Sequence, residues 1–267
     1  MGIIRTDEWL SKDFAAPIKI CEEMLPYFEE KEASEVYSLL VKFGMYRPTW
    51  QAQKNLEFMI KEKQWTKVKT IFTKYQQQWS GPDVPIFLFP LEQKGGIFFS
   101  DSTRTKAGVS FPDKMVLFLS HKADEREIEA LLVHEYHHVC RLRSLNKKLN
   151  DYTLLDSLII EGLAEYAVLQ HCGQRYVANW CESYTDKELE VFWHRFIKAN
   201  LKRKKTDRVH DHLLYGGGSI PSLLGYAVGY QMVREFYQTE SYSLKKSFTI
   251  PSSKFSHNRN LFNTKGL

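Results

Sequence analysis

The pentapeptide His134-Glu135-Tyr136-His137-His138 lies inside the apolar run ALLVHEYHHVC, and it constrains the chain more than any other segment. Apolar residues recur there at helical spacing. On a helix, residues four apart share a face about one turn from each other. Both His134 and His138 can therefore reach a single metal ion. With His134 at zero on the helical wheel, His138 falls at roughly 40° and Leu131 at roughly 60°. Ile128, Leu132, Tyr136 and Val139 make a separate stripe near roughly 120–200°, and Glu135 falls between the two faces. A core face and a metal face thus run side by side, with a carboxylate poised to hold a water at their border. His137 points well away from the pair. The competing reading, satisfied core or surface histidines, has to explain a pattern whose chance occurrence in a chain this long is on the order of one per cent.

A catalytic zinc takes three protein ligands and keeps a position open for water. The third ligand is expected in the downstream run Leu158-Ile159-Ile160-Glu161-Gly162-Leu163-Ala164-Glu165-Tyr166. Glu161 is a carboxylate embedded in an apolar helix, which is costly unless it binds or pairs with something. The interval from His138 leaves room for a turn and one returning helix. Glu165 stands one turn further on the same face and could orient a ligating histidine through its second ring nitrogen. Gly162 would let this helix and the motif helix approach closely. The plainer alternative is an exposed acidic pair on an amphipathic helix.

The H-E-x-x-H helix followed by an E-G-x-A-E helix resembles the gluzincin metallopeptidases. The runs LLVHEYHHVCRL, LIIEGLAEY and GYAVGYQMV are similar to the YjaZ-like family of Zn-dependent proteases, over most of the chain and most strongly from about residue 105 to 236. This resemblance implies His134, His138 and Glu161 as ligands of Zn2+ and Glu135 as catalytic base. It also implies a role for Tyr226, because Tyr226-Ala227-Val228-Gly229 matches a Y-x-x-G helix start whose tyrosine steadies the oxyanion. Core packing is the alternative for Tyr226, and Tyr230 is the second candidate. His210 and His212, in VHDHLLYGGG, are either further donors to the oxyanion or loop histidines. No G-x-M-E-N exopeptidase segment is present, a departure from the aminopeptidase branch.

The fold class expected is α+β: a zincin-like core with a small antiparallel sheet and the H-E-x-x-H helix, flanked by mainly helical regions. Residues 1–80 read as a helical N-terminal region. Leu10, Phe14, Ile18, Cys21 and Leu25 mark a first helix. A second is capped by Ser34 and ended by Gly44, a third starts at Pro48-Thr49 with Leu56, Met59 and Ile60 on its face, and a fourth runs from Trp65 to Tyr75. Ser80-Gly81-Pro82 stops it. Residues 81–267 read as the zincin-like catalytic region, with the sheet and motif helix in 81–145 and helices in 146–267. Strands are expected at Val84–Phe89, Ile97–Phe99, Ala107–Phe111 and Met115–Leu119, the last two flanking a Pro112-Asp113 turn. Asp124 with Glu127 forms a capping box for the motif helix, which runs to about residue 145. Further helices are expected at roughly 152–170, 186–200 and 222–238, with a basic, glycine-rich loop from Lys202 to Gly218 between the last two. The tail after Ser243 reads as loop plus a short helix.

Composition excludes some classes. Apolar residues make up 43% and charged residues 26%, values of an ordinary globular chain. A net charge of +5 spread along the sequence, with one cluster at Lys202–Lys205, is a solvated surface and not a nucleic-acid footprint. No run reaches the roughly 18 apolar residues of a membrane span. The start MGIIRTDEWLSKDF has no apolar targeting core. Cys21, Cys140, Cys172 and Cys181 form no C-x-x-C pair and no disulfide framework. A cytoplasmic setting is expected.

The function these residues imply is metal-assisted hydrolysis of peptide bonds in a peptide or protein substrate, with Glu135 as general base. Manganese or cobalt could occupy the same ligands. A strand at Lys106–Phe111 could pair with an extended peptide. The rival class is a non-catalytic, zinc-stabilised interaction domain, which calls for loss of Glu135 or a fourth ligand closing the site. The N-terminal helices could serve either class as a surface for a regulatory partner.

Overall fold

The computed structural model describes residues 2–92 and 105–256. The strand expected at Ile97–Phe99 lies outside them. Two compact units make up the chain, Met1–Val139 and Cys140–Leu267.

The first unit opens with five helices, α1 (Thr6–Asp13), α2 (Pro17–Met24), α3 (Ala33–Phe43), α4 (Trp50–Lys61) and α5 (Gln64–Trp79). Local signals set most of their ends. Pro17 at the first turn of α2 splits the single helix expected there, because its ring cannot continue α1. The split turns Ile18 outward, 47% exposed, and Ile60 on α4 is 44% exposed, so neither joins the core as expected. Gly44 closes α3 at φ +127°, a conformation open chiefly to glycine, and Thr49 caps α4 through the Ala52 N–H.

The sheet comprises β1 (Ile86–Pro90), β2 (Lys106–Ser110) and β3 (Met115–Leu119) in the order β1-β3-β2. It is mixed, which corrects the antiparallel sheet expected from sequence. β2 and β3 pair antiparallel across the Pro112-Asp113 turn, but β1 runs parallel to β3, with Ile86 opposite Met115. The chain leaves β1, forms β2 at the far edge and folds β3 back into the middle. Every residue of β1 and β3 is buried, the composition expected of strands covered on both faces. β2 is half-exposed, with one strand neighbour among the described residues.

Helix α6 (Glu125–Leu145) carries the motif. Its capping box is present: Glu127 N–H donates to Asp124 Oδ1 at 2.8 Å and Asp124 N–H to Glu127 Oε2 at 2.9 Å. In the first unit its core face meets α5. Tyr136 stacks on Trp79 with centroids 5.4 Å apart, meets Phe72 edge-on at 5.1 Å, and donates its hydroxyl proton to the Pro82 carbonyl at 3.0 Å. These contacts fix how α6 is rotated about its axis, and hence where the neighbouring residues of the motif point.

The second unit is helical: α7 (Leu154–Cys172), α8 (Asp186–Phe192), α9 (Arg208–Tyr215), α10 (Leu224–Thr239), α11 (Leu244–Thr249) and α12 (Ser253–Ser256), with short 3₁₀ and π turns between them. The capping box of α7, Thr153 with Asp156, fixes its start. Helix α9 corrects the loop expected between Lys202 and Gly218. Asp207 caps it by accepting the Val209 N–H, and Leu213 and Leu214 are buried beside Leu158, Leu163, Ala227 and Val228. Two buried leucines override an otherwise polar, basic composition. None of the helices described is long and apolar enough to cross a membrane.

Candidate metal centre

His134 and His138 project from the same face of α6, as their four-residue spacing requires, with Nε2 atoms 3.0 Å apart and rings nearly perpendicular. Two imidazole nitrogens bound at about 2.0–2.1 Å to one tetrahedral zinc lie roughly 3.3 Å apart, so the observed pair is close to chelating spacing. His138 is 7% exposed and His134 is half-buried. His137 is fully buried against the edge of Trp79, 6.4 Å between centroids, and belongs to the packed side of the helix.

Glu135 is 6% exposed, an unusual place for a carboxylate, and β2 supplies its surroundings. The Ser110 hydroxyl lies 2.6 Å from Glu135 Oε2 and 2.9 Å from the Glu135 carbonyl oxygen. Gly108, two residues earlier on the same face of β2, lies directly beside the side chain: a Cβ there would come within 2.6 Å of Glu135 Cγ, Cδ and Oε1. Neither Ser110 nor Gly108 is marked out by the sequence, because serine and glycine in a short strand are ordinary turn and edge residues.

On α7, Ser157, Glu161 and Glu165 recur every fourth residue and form one polar stripe on an apolar helix. Ser157 meets buried His210 of α9, Oγ to Nε2 at 3.0 Å, and His210 Nδ1 lies 2.9 Å from Asp211. His210 is thus a satisfied core histidine that ties α9 to α7, while His212 is exposed. Glu161 is half-buried. Glu165 is 3% exposed and accepts the Ala178 N–H at 2.6 Å. Gly162 sits against α10 so closely that a Cβ would overlap the Gly229 carbonyl, so the close approach it makes is to α10, where the motif helix is the partner expected from sequence.

The two candidate tyrosines differ in setting. Tyr230 is 2% exposed, and burial raises its phenol well above the ordinary value. Tyr226 is half-buried, edge-on to Trp180 at 5.2 Å and tilted against Tyr215 at 5.8 Å. Tyr215 is hydrogen-bonded to Tyr226, and burial, then the charge of nearby Glu161, raises its phenol. Tyr215 escaped the sequence reading; its only local mark is the glycine run that follows it.

In the first unit His134 and His138 bring two imidazoles to the spacing of metal ligands, and in the second unit Glu161 offers a half-buried carboxylate on α7. Two imidazoles and one carboxylate are the donor types that suit zinc and leave a position open. The residues present fit the metal by their chemistry and by the spacing of the histidine pair.

An α+β chain with two histidines at the spacing of metal ligands and a buried glutamate on the same helix has the features of a metal-dependent protein. Residues 64–257 match the family described as predicted Zn-dependent protease (DUF2268), and the chain belongs to that family. It is 33% identical over 259 residues to the uncharacterized protein YjaZ of Bacillus subtilis (strain 168), covering 96% of this chain and 98% of that one. No solved structure matches it.

Proposed function

We propose that the chain is a zinc-dependent metallopeptidase with a zincin-like core, in which Glu135 is the general base. The observation that carries this reading is the burial of the Glu135 carboxylate, 6% exposed, on the same helix as two histidines whose Nε2 atoms are 3.0 Å apart. A purely structural metal site has no use for a carboxylate held in that position.

His134 and His138 hold the metal through their imidazoles and Glu161 through its carboxylate. Zinc, when bound, supplies Lewis acidity toward a peptide carbonyl and toward water. Glu135 accepts the proton of the attacking water and passes it to the leaving amine. Its low exposure favours this, since a proton acceptor screened from bulk water interacts more strongly with the group it serves. Tyr226 donates its hydroxyl to the charge growing on the substrate carbonyl oxygen. Its half-exposed setting suits a substrate-facing group better than that of buried Tyr230. Tyr215 steadies the Tyr226 ring and hydroxyl. The edge position of β2 supports pairing with an extended peptide or protein substrate.

The test is cleavage of a peptide library by zinc-loaded protein, with Glu135→Gln alongside and zinc content measured for both. Cleavage by the wild type alone, at about one zinc per chain in each, is the expected result. Equal zinc with no cleavage by either would favour the non-catalytic interaction domain.

A further inference from the structure

We infer that Ser110, seated beside Gly108 on β2, is a positioning residue for Glu135: its hydroxyl fixes the rotamer of the general base and reserves Oε1 for the proton in transit. The inference rests on the reading of Glu135 as base and assigns the part of the first unit that holds it in place.

A glutamate side chain has three rotatable bonds and, unheld, samples many rotamers. Here three contacts restrict it. The Ser110 hydroxyl lies 2.6 Å from Oε2, within the short range of O–H···O⁻ bonds to a charged acceptor. The same hydroxyl is 2.9 Å from the Glu135 backbone carbonyl oxygen, the competing acceptor for its single proton, so the serine oxygen is lodged against both ends of one residue. The bare backbone of Gly108 makes room for Cγ, Cδ and Oε1, space that any side chain would fill. Ser110 and Gly108 face the same way because strand residues two apart share a face. Their register is fixed by pairing with β3, Ser110 opposite Met115 and Gly108 opposite Leu117. With Oε2 engaged by Ser110, Oε1 is the oxygen left to accept a proton. A serine hydroxyl has a single proton and donates to one acceptor at a time. It therefore orients the carboxylate without neutralising it, which a lysine or arginine at this place would do.

The experiment compares full-length wild type, Ser110→Ala and Ser110→Thr. Crystal structures of all three would show the Glu135 side chain directly, whether or not the protein turns over peptide. Zinc content, melting temperature and, where the wild type cleaves, separate kcat and KM values complete it. We expect Ser110→Ala to bind zinc and fold as the wild type does, with Glu135 spread over more than one rotamer. Its kcat should fall about 10- to 100-fold, the scale of a misplaced catalytic group, with KM nearly unchanged. Ser110→Thr, which keeps the hydroxyl, should restore both the single rotamer and most of kcat. A single wild-type rotamer for Glu135 in Ser110→Ala would overturn the inference. So would a kcat loss in Ser110→Thr as large as in Ser110→Ala at equal zinc and stability. If the wild type cleaves nothing, the peptidase reading fails by itself, and the Glu135 rotamer still decides the role of Ser110.

Discussion

Glu129 illustrates what a single residue contributes here. It lies on α6 at 6% exposure, and three donors surround its carboxylate: Lys74 at 2.6 Å, Tyr75 at 2.8 Å and Arg126 at 2.7 Å. Burial pushes its pKa up, but the bonds from Lys74, Tyr75 and Arg126 outweigh burial and leave it below the ordinary glutamate value. A carboxylate with a depressed folded pKa adds stability that is full above its unfolded pKa, about 4.3, and is lost as pH falls through the folded value. Glu129→Gln should therefore melt lower than wild type at pH 7, and the gap should close below about pH 4. Melting curves at several pH values would check this, and a gap independent of pH would contradict it. The sequence shows the charges but not the meeting, since Lys74 and Glu129 lie on different helices. The same holds for Ser110 and Glu135. The histidine pair and Glu135 were legible because their geometry is local to one helix turn, whereas their surroundings depend on strand register.

Between elements, the packing of α7 on α10 is the tightest requirement in the second unit. A Cβ on Gly162 would overlap the Gly229 carbonyl, and one on Gly229 would overlap the Leu158 carbonyl. The backbones meet without an intervening side chain, and Glu161 is the chain neighbour of Gly162. Gly229→Ala must force α7 and α10 apart, and overpacking of this kind costs about 1–3 kcal/mol. For a chain of this size each kcal/mol lowers the melting temperature by about 2–4 °C. We expect a drop of several degrees together with weaker zinc retention against a chelator, because Glu161, the proposed third ligand, moves with the helix. Calorimetry and zinc titration would measure the two effects, and an unchanged melting temperature would show that the helices have slack. The glycine at 162 announced close contact in the sequence, and the partner at 229 sat in the GYAVGYQMV run. Element identity was also legible where caps were explicit, as at Asp124 with Glu127. The parallel pairing of β1 with β3 was not, because strand direction follows from how the chain returns and not from alternation within a strand. Helix α9 was hidden for a related reason: its basic composition reads as loop, and what holds it is the Asp207 cap with the burial of His210, Leu213 and Leu214.

Over the second unit as a whole, Arg141 determines how the chain beyond α10 is fastened. It follows the motif by three residues, is fully buried, and among the described residues has no carboxylate bonded to its guanidinium. Nη1 donates to the Ser247 carbonyl at 2.7 Å, and Nη2 donates to the Ile250 carbonyl at 2.9 Å and to the Ser252 hydroxyl at 3.3 Å. Burial lowers its pKa to about 10, so it still carries its charge at neutral pH. Both carbonyls it binds lie at the C-terminal end of α11, where helix geometry leaves them without partners, and the Ser252 hydroxyl lies just ahead of α12. Phe255 adds an apolar anchor, 4.5 Å from the Phe236 ring on α10. A planar guanidinium reaches several carbonyls at once and an ammonium does not. Arg141→Lys should therefore lose at least one buried, charge-assisted hydrogen bond, each contributing about 1.5–3 kcal/mol, and Arg141→Leu should leave the Ser247 and Ile250 carbonyls at the end of α11 unsatisfied. Urea unfolding should show both variants less stable. Limited proteolysis should cut them first between residues 240 and 256, where the wild type should be resistant. Cleavage elsewhere at the wild-type rate, with an unchanged unfolding midpoint, would mean that the apolar contacts of Phe255 hold the segment alone and that the arginine is dispensable to the fold.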